Sequence, residues 1–376
     1  MKDYQKKMIS LIRASLTDYV PEEDSFDFDK LFRMAGDGGY TSLIYYGALK
    51  VPSFARFSGK RDVIRQVCTE IARSKNQMEE VKKFSAHMDQ AGVDYCLLKG
   101  TELKPLYPHP EMRPMHDADI LVRESDCKQV FDYLKNNGYF YSHESSQESV
   151  WLKTGMEIEI HTRLMAYEWR KTASCFESPW ENVVDHYLSP DYSFLFQIVH
   201  LARHSGQGSM PLRHLADCFV YTRAHPELDL SGVEEQLEKM NLLDFFRKIR
   251  RLMSVWFEGA ESDSVTDLFA NLAFQSREDR DERALYASEI RKENMSRPGY
   301  VLSRIFRSYG QMCDNYPILI RYPVLLPACW VCRAVSFLSD DAKKKESKNR
   351  TETVFEKEKL DAFEKEMETV GLKDWY

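Results

Sequence analysis

Residues 113–122 read RPMHDADILV, and this stretch decides the fold because two aspartates lead directly into an apolar run. The last three residues predict a buried strand. Positions i and i+2 of a strand point the same way, so Asp117 and Asp119 would present their carboxylates together. Two adjacent carboxylates repel each other unless a cation is bound, and hard oxygen ligands suit Mg²⁺. The stretch therefore predicts a strand that begins at a magnesium site.

Two further strands are predicted around this one. Residues 93–98 form a compact apolar run that suits a buried strand. Residues 156–161 alternate apolar and polar side chains, which places Glu159 on the polar face of a half-buried strand. A third carboxylate from a neighbouring strand would complete a metal site. Two cations held about 3.5 to 4 Å apart in such a site are suited to phosphoryl transfer.

The tripeptide Lys99-Gly100-Thr101 directly follows the first predicted strand. A glycine allows close approach of the backbone, and N–H groups with a hydroxyl at a helix N-terminus bind phosphate well. A DxD pair alone is common on solvated turns. The order of the motifs favours function over chance: a strand, the tripeptide, DxD with its strand, then a strand carrying Glu159.

Helices are predicted on both sides of the strands. Residues 61–91 carry apolar side chains mostly every three or four positions, and Gly92 supplies a C-cap. A helix with Ser125 as its N-cap is expected to stop at Asn137 and Gly138. Further helical patterns lie at 194–203, 212–223, 233–240 and 245–257. The predicted class is α+β, with a small mixed sheet and a mostly α-helical C-terminal lobe.

The chain of 376 residues is longer than one typical single-core domain. We divide it into an N-terminal helical segment (1–60), a catalytic core (61–185), a helical domain (186–338) and a charged tail (339–376). The tail has the composition of a solvated helix or frayed end. A net charge of −7 gives no overall basic field, so a long nucleic acid is not an expected partner. The N-terminus lacks the apolar run of a signal peptide, which predicts a cytoplasmic protein.

The cysteines and the apolar segment at 316–338 are expected to have structural roles. The eight cysteines lie mostly in apolar stretches, as expected for reduced, buried thiols. Cys329 and Cys332 have CxxC spacing without a second ligand pair, which favours two thiols on one side of an apolar helix. Residues 316–338 are very apolar, but prolines and arginines interrupt them, so a spanning helix is not expected. A buried helix pair is favoured over a surface patch for weak membrane or partner contact.

The motifs together resemble those of the uncharacterised bacterial nucleotidyltransferases of the polymerase-β-like superfamily. That family carries Leu-Lys-Gly, then Arg and Asp-x-Asp before a strand, then Asp-Leu-His. The matching residues here are Leu98-Lys99-Gly100, Arg113, Asp117 to Val122, Glu159-Ile160-His161, and, in the helical lobe, His200, His204, Arg213 and Asp217. Two positions depart from the pattern: Glu159 replaces the usual Asp, and Thr101 replaces a Ser.

The resemblance implies a polymerase-β-type nucleotidyltransferase core that moves a nucleoside monophosphate from a nucleoside triphosphate to an acceptor and releases pyrophosphate. It implies dependence on Mg²⁺, with Asp117, Asp119 and Glu159 as catalytic metal ligands and Glu159 alternatively as the base. The implied nucleotide and phosphate contacts are Lys99, Gly100, Thr101, Arg113, His161, Arg213 and Asp217. His161 is equally well read as a strand histidine with ordinary partners, and Arg213 with Asp217 as a surface pair.

The sequence does not decide whether the acceptor is a small molecule, an RNA or a protein. Three alternative functions also remain open. The substitution at Glu159 favours a degenerate core that binds a nucleotide without transferring it. A toxin-like enzyme that nucleotidylates tRNA or protein would need a basic groove, for which 247–251 and 60–61 are candidate linings. Modification of a surface polymer or small molecule near a membrane would use 316–338.

Overall fold

A five-stranded mixed sheet lies at the centre of the computed structural model. Its strands are β1 (Tyr95–Leu97), β2 (Ala118–Val122), β3 (Phe140–Glu144), β4 (Glu148–Lys153) and β5 (Met156–His161). The order is β1-β2-β5-β4-β3, in which β2 and β5 are parallel and the other neighbours antiparallel. The structure describes residues 1–22, 25–169, 174–275, 279–281, 283, 302–303, 306–339 and 357–373. The predicted α+β class with a small mixed sheet is confirmed.

Helices precede the strands, lie between them and follow them along the chain. The N-terminal ones are α1 (Asp3–Leu16), α2 (Phe28–Gly38), α3 (Thr41–Ala48) and α4 (Lys60–Ala91), and short α5 (Gly100–Leu103) and α6 (Cys127–Asn136) lie between strands. After the sheet come α7 (Pro190–Gly206), α8 (Leu212–Ala224), α9 (Leu230–Lys239), α10 (Leu243–Met253) and α11 (Ser264–Ala273). The described C-terminal helices are α12 (Tyr309–Asn315), α13 (Ile318–Arg321), α14 (Leu326–Ser339) and α15 (Lys357–Val370). A two-stranded ribbon, β6 (Val183–Val184) and β7 (Tyr187–Leu188), precedes α7.

One face of the sheet is apolar because of the alternation along its strands. Ile158 and Ile160 of β5 are each 1% exposed, and they share a core with Phe84 and Met88 of α4 and with Val130 of α6. Burying each such side chain contributes about 1.5 to 3 kcal/mol. The opposite face of β5 carries Glu157 and Glu159, so the packing of the apolar face fixes which side chains the other face presents.

The boundaries of α4 and α6 test the predicted caps. Helix α4 ends at Gly92, whose φ of 66° favours glycine, as predicted. Helix α6 begins at Cys127 after Asp126, so the predicted N-cap at Ser125 is wrong. A 3₁₀ turn at Glu124–Asp126 delays the helix, and the Ser125 hydroxyl donates to the Asp126 carboxylate instead. The predicted stop after α6 is confirmed.

The helical lobe follows the predicted periodicity. Helices α7, α8 and α9 overlap the patterns found in the sequence, and the pattern at 245–257 continues past α10 as a π-helical turn, Ser254–Glu258. One apolar cluster includes residues of α1 to α3, Leu98 after β1, and residues of α7 to α11. The division of the chain at 60, 185 and 338 stays a prediction.

The charged tail contains a helix that belongs to the core, which corrects the expectation of a solvated helix or frayed end. Leu360, Phe363, Met367 and Val370 of α15 are at most 2% exposed and join the same apolar cluster as the helical lobe. Their spacing of three and four positions forms a narrow apolar stripe that lysines and glutamates conceal in the composition. The rest of the predicted tail, 340–356 and 374–376, lies outside the described residues.

The apolar segment 316–338 displays much of its apolar surface, so the favoured interpretation as a buried helix pair is wrong. Val324, Val331 and Val335 are 84%, 63% and 60% exposed. Among the described residues, Leu319 of α13 and Cys329 of α14 pack in a small apolar cluster with Tyr167, Met312 and Cys313. Within the described residues, no helix is both long and apolar enough to cross a membrane.

The cysteines are all free thiols, as predicted, but they are not mostly buried. Cys329 is buried and Cys332 is exposed, although both lie on α14 one turn apart. Cys68 of α4 is also exposed. The two thiols of the CxxC pair therefore lie on one helix, as predicted, but only the thiol of Cys329 is buried.

A half-buried carboxylate, Glu102 of α5, makes stability depend on pH. It accepts hydrogen bonds from Ser193 at 2.8 Å and from Tyr221 at 3.3 Å, and burial raises its pKa from 4.5 to about 7. Because the folded-state pKa exceeds the unfolded value, the ionised form opposes folding, and this penalty grows as pH rises from about 4.5 to about 7.

We expect Glu102→Gln to raise the free energy of unfolding at pH 8 by about 2 kcal/mol, and to leave it nearly unchanged at pH 4. Urea denaturation at both pH values measures this difference. Glu124→Gln, an exposed carboxylate, is the matched control. Equal effects of Glu102→Gln at the two pH values would contradict the assignment.

Candidate active site

Three carboxylates gather at the polar face of the sheet. The parallel register of β2 and β5 places Asp119 directly beside Glu159, and Asp117 precedes β2 by one residue. Burial, together with the negative charges of Asp119 and Glu159, raises the pKa of Asp117. The cluster is therefore under electrostatic repulsion that a divalent cation would relieve, and its oxygen donors suit Mg²⁺.

Asp119 is held by two cationic side chains. Its Oδ1 accepts from Lys99 Nζ at 2.6 Å and from His161 Nε2 at 2.8 Å. Burial alone would raise the pKa of Asp119, but Lys99 and His161 hold it well below its usual range. Both contacts fall on Oδ1, and among the described residues Oδ2 accepts no hydrogen bond. The carboxylate is thus ionised and keeps one oxygen for a metal.

His161 acts as a positive partner of the carboxylates. Burial would lower its pKa, but hydrogen bonds to Asp119 and Glu159 outweigh it and raise the pKa to about 9. Its Nε2 lies 3.5 Å from Glu159 Oε2, and its Nδ1 lies 3.4 Å from Glu148 Oε2. A protonated imidazole has no lone pair for a metal, so His161 positions the carboxylates and does not ligate a cation.

The turn after β1 aims one side chain at the site. Lys99 adopts φ 46° and ψ −109°, a strained conformation for a residue with a side chain. A Cβ on Gly100 would lie 2.6 Å from Nη1 of Arg113, so this glycine makes room for the arginine. The Thr101 hydroxyl is buried and donates to the Leu98 carbonyl at 2.7 Å. The geometry presents Lys99 to the acidic cluster, while Gly100 and Thr101 shape the turn.

Arg113 and Asp217 form a buried bidentate pair. Arg113 donates from Nε to Asp217 Oδ1 at 3.2 Å and from Nη2 to Oδ2 at 3.1 Å, and Tyr107 donates to Oδ1 at 2.8 Å. Both charged side chains are at most 5% exposed. The reading of Asp217 as a surface partner of Arg213 is therefore wrong, because the buried face of α8 turns Asp217 toward the sheet. The pair joins the residues before β2 to the helical lobe.

Two other arginines of the helical lobe lie near the carboxylates. The positive charge of Arg213 partly offsets the rise in the pKa of Asp117 that burial causes, and Arg203 interacts electrostatically with Asp119. Burial lowers the pKa of both arginines. The Nε atom of each is buried without a hydrogen-bond partner among the described residues. A buried unpaired donor is costly, so the pair is suited to an anionic ligand.

Sequence reasoning named Arg213 and missed Arg203 and Glu148. Nothing in the helical pattern at 194–203 separates Arg203 from a surface arginine. Glu148 had a usable signal, because the tight hairpin between β4 and β5 fixes its register opposite His161. Burial raises the pKa of Glu148.

The histidines that the sequence indicated in the helical lobe lie together. His200 and His204 of α7 meet His214 of α8, and the two Nε2 atoms of the first pair are 3.1 Å apart. Burial lowers the pKa of His204 to about 3, and it lowers those of His200 and His214 well below their usual value. All three imidazoles are therefore neutral at physiological pH.

The mixed sheet carries three carboxylates on one face, beside two arginines with unpaired Nε atoms among the described residues, and oxygen donors of this kind could hold a metal ion. The model of a family described as uncharacterised nucleotidyltransferase matches residues 24–258, which include the sheet, α7 and α8. The chain belongs to this family. No curated protein and no solved structure matches the chain.

Proposed function

We propose that the protein is a Mg²⁺-dependent nucleotidyltransferase of the polymerase-β-like type, which moves a nucleoside monophosphate from a nucleoside triphosphate to an acceptor. The observation that carries this proposal is the register of β2 and β5, which sets Asp119 beside Glu159 with Asp117 next to them. Membership of a nucleotidyltransferase family supports the transferase class. A bacterial origin and a cytoplasmic location stay predictions.

The ligands would be Asp117, Asp119 and Glu159. A bound Mg²⁺ would supply Lewis-acid stabilisation of the phosphate oxygens. Three carboxylates would provide enough oxygen donors for two such ions. Lys99 and His161 fix the Asp119 carboxylate through Oδ1 and leave Oδ2 for coordination. Glu159 suits this role despite its extra methylene, because the strand register already brings it level with Asp119.

In the transfer step, an acceptor oxygen forms a bond to the α-phosphorus and the bond from that phosphorus to the β-phosphate oxygen breaks. Pyrophosphate leaves with the electron pair. The acceptor's proton goes to a base, and Glu159 is the alternative to a third metal ligand in this role, because it is 18% exposed against 3% for Asp119. Arg203 and Arg213 donate to the triphosphate oxygens, and Lys99 balances the remaining negative charge.

The structure gives little support to a nucleic-acid groove in the helical lobe. Of the basic residues considered for such a groove, Lys248 pairs with Asp244, Arg250 with Glu234, and Arg251 with Asp263. These ion pairs are typical of a solvated helix face. We therefore favour a small-molecule or protein acceptor over tRNA.

Calorimetric titration of the purified chain with Mg²⁺ and each nucleoside triphosphate tests the proposal, with pyrophosphate measured in the same samples. We expect metal-dependent binding that disappears in Asp117→Ala/Asp119→Ala, with pyrophosphate release for the preferred nucleotide. Absence of binding to every nucleotide would overturn the proposal.

A second candidate, nucleotide binding without transfer, is favoured by one observation. Lys99 and His161 already neutralise Asp119, as a metal would, so the cluster can persist in a metal-free state. Binding of a nucleotide with no pyrophosphate under any acceptor condition would support this sensor or regulatory role.

The two arginines give a prediction for binding. We expect Arg203→Met and Arg213→Met each to weaken triphosphate binding by roughly 10- to 100-fold, because each removes charge-assisted hydrogen bonds. Calorimetry with the preferred nucleotide measures the change. Arg250→Met, which removes an exposed guanidinium from the same lobe, is the control and should bind normally. Unaltered binding in both test variants would place the phosphates elsewhere.

A further inference from the structure

A cluster of three histidines lies between α7 and α8, outside the acidic cluster. His200 and His204 are four residues apart on α7, so they share one helix face. Their Nε2 atoms are 3.1 Å apart, and their ring centroids lie 5.0 Å and 5.1 Å from that of His214. One ligand nitrogen from each histidine lies within 4.8 Å of the other two.

The cluster contains hydrogen-bonding atoms that the described part of the protein leaves unsatisfied. His214 Nε2 is buried without a partner there, and its Nδ1 lies 4.0 Å from Asp217 Oδ2, too far for a hydrogen bond. Gln197 and His214 line the same small cavity, and both amide atoms of Gln197 also lack partners among the described residues. A buried polar atom without a partner destabilises the folded chain, and a bound ligand would remove this cost.

We propose that His200, His204 and His214 form a binding site for one transition-metal dication of the Zn²⁺ class. Neutral imidazoles suit Zn²⁺, Cu²⁺ and Ni²⁺, whereas the carboxylates of the acidic cluster suit Mg²⁺. Zn–N bonds of about 2.0 to 2.1 Å in a tetrahedral site separate ligand nitrogens by roughly 3.3 Å. The spacing of the cluster therefore needs only small side-chain movements to reach this geometry.

Charged side chains around the three histidines influence the affinity for the metal and the nature of its fourth ligand. Lys99, Arg203 and Arg213 carry positive charges that act on these histidines. The same charges oppose a dication, so the site is expected to bind less tightly than a structural zinc site. They favour a negatively charged fourth ligand, such as hydroxide or a phosphate oxygen. The site does not depend on the proposed nucleotidyltransferase activity.

The test uses the full chain after removal of metals with a chelator. Calorimetry with Zn²⁺ and visible absorption with Co²⁺ should each show one equivalent bound, with the intense visible bands of tetrahedral cobalt. We expect His204→Gln and His214→Gln each to weaken Zn²⁺ binding by 100-fold or more. His225→Gln, a histidine just after α8, and Asp117→Asn/Asp119→Asn should both retain it.

Several results would overturn the proposal. One is the absence of tetrahedral cobalt bands in the wild-type chain, a measurement that does not depend on any variant folding. Another is Zn²⁺ binding that survives in both histidine variants, or that is lost in the variant of the acidic cluster. Circular dichroism of each variant identifies any loss that comes from unfolding, and His200→Gln then replaces an unfolded variant.

Discussion

Replacing Asp119 by Asn is expected to lower the rate of pyrophosphate release by roughly 1,000-fold or more, the scale expected when a central electrostatic group is lost. The change keeps the shape of the side chain but removes the charge that Lys99 and His161 neutralise and that a metal would need. The positively charged side chains of Lys99 and His161 would then lie close together without the carboxylate between them. Initial rates with the preferred nucleoside triphosphate and Mg²⁺ measure the effect.

Glu144→Gln is the matched control, because it converts an exposed carboxylate of β3 in the same sheet to an amide. The control should retain the wild-type rate. An Asp119→Asn protein that is folded and releases pyrophosphate within threefold of the wild type would contradict the assignment of Asp119 as a metal ligand.

Replacing Asp217 by Ala is expected to lower the free energy of unfolding by about 3 to 5 kcal/mol. The substitution leaves the Arg113 guanidinium buried without its carboxylate, and it removes the acceptor of the Tyr107 hydroxyl. A buried charge without a partner is far more costly than the loss of an exposed ion pair. Urea denaturation at pH 7 measures the change.

The exposed pair of Arg250 with Glu234 provides the comparison. Glu234→Ala should cost less than about 1 kcal/mol. If Asp217→Ala cost no more than Glu234→Ala, Asp217 would not anchor the helical lobe to the residues before β2.

Three of the five strands of the sheet, β1, β2 and β5, and the acidic cluster could be predicted because their signals are local; β3 and β4 were not predicted. Alternation along β5 separates Ile158 and Ile160 from Glu159, and the i, i+2 spacing of Asp117 and Asp119 sets their shared side. The sequence did not reveal that β2 and β5 are parallel neighbours, or which of their residues lie side by side. The structure adds that Asp119 and Glu159 lie directly beside each other on neighbouring strands.

The partners of the arginines could not be predicted, because they depend on contacts far apart in the sequence. Arg113 and Asp217 are 104 residues apart, and the spacing of Arg213 with Asp217 suggested a local pair that the structure does not form. Burial decides these cases. Asp217 is 1% exposed, on a helix whose sequence does not show that its polar residues face inward.

Tertiary packing also explains two of the errors outside the site. The apolar stripe of α15 packs into the core although lysines and glutamates surround it. The apolar segment at 316–338 keeps exposed apolar side chains such as Val324 and Val331, because the described part of the chain covers only some of it. Composition measures how apolar a segment is. It does not measure what other parts of the chain offer to cover it.

Binding of Mn²⁺, a spectroscopic substitute for Mg²⁺, tests the central claim most directly. Electron paramagnetic resonance measures free Mn²⁺ with and without a non-hydrolysable nucleoside triphosphate. We predict that the nucleotide strengthens Mn²⁺ binding to the wild-type chain and that Asp119→Asn abolishes this effect. Mn²⁺ binding that ignores the nucleotide, or that is unchanged in Asp119→Asn, would contradict a metal and nucleotide site on this face of the sheet.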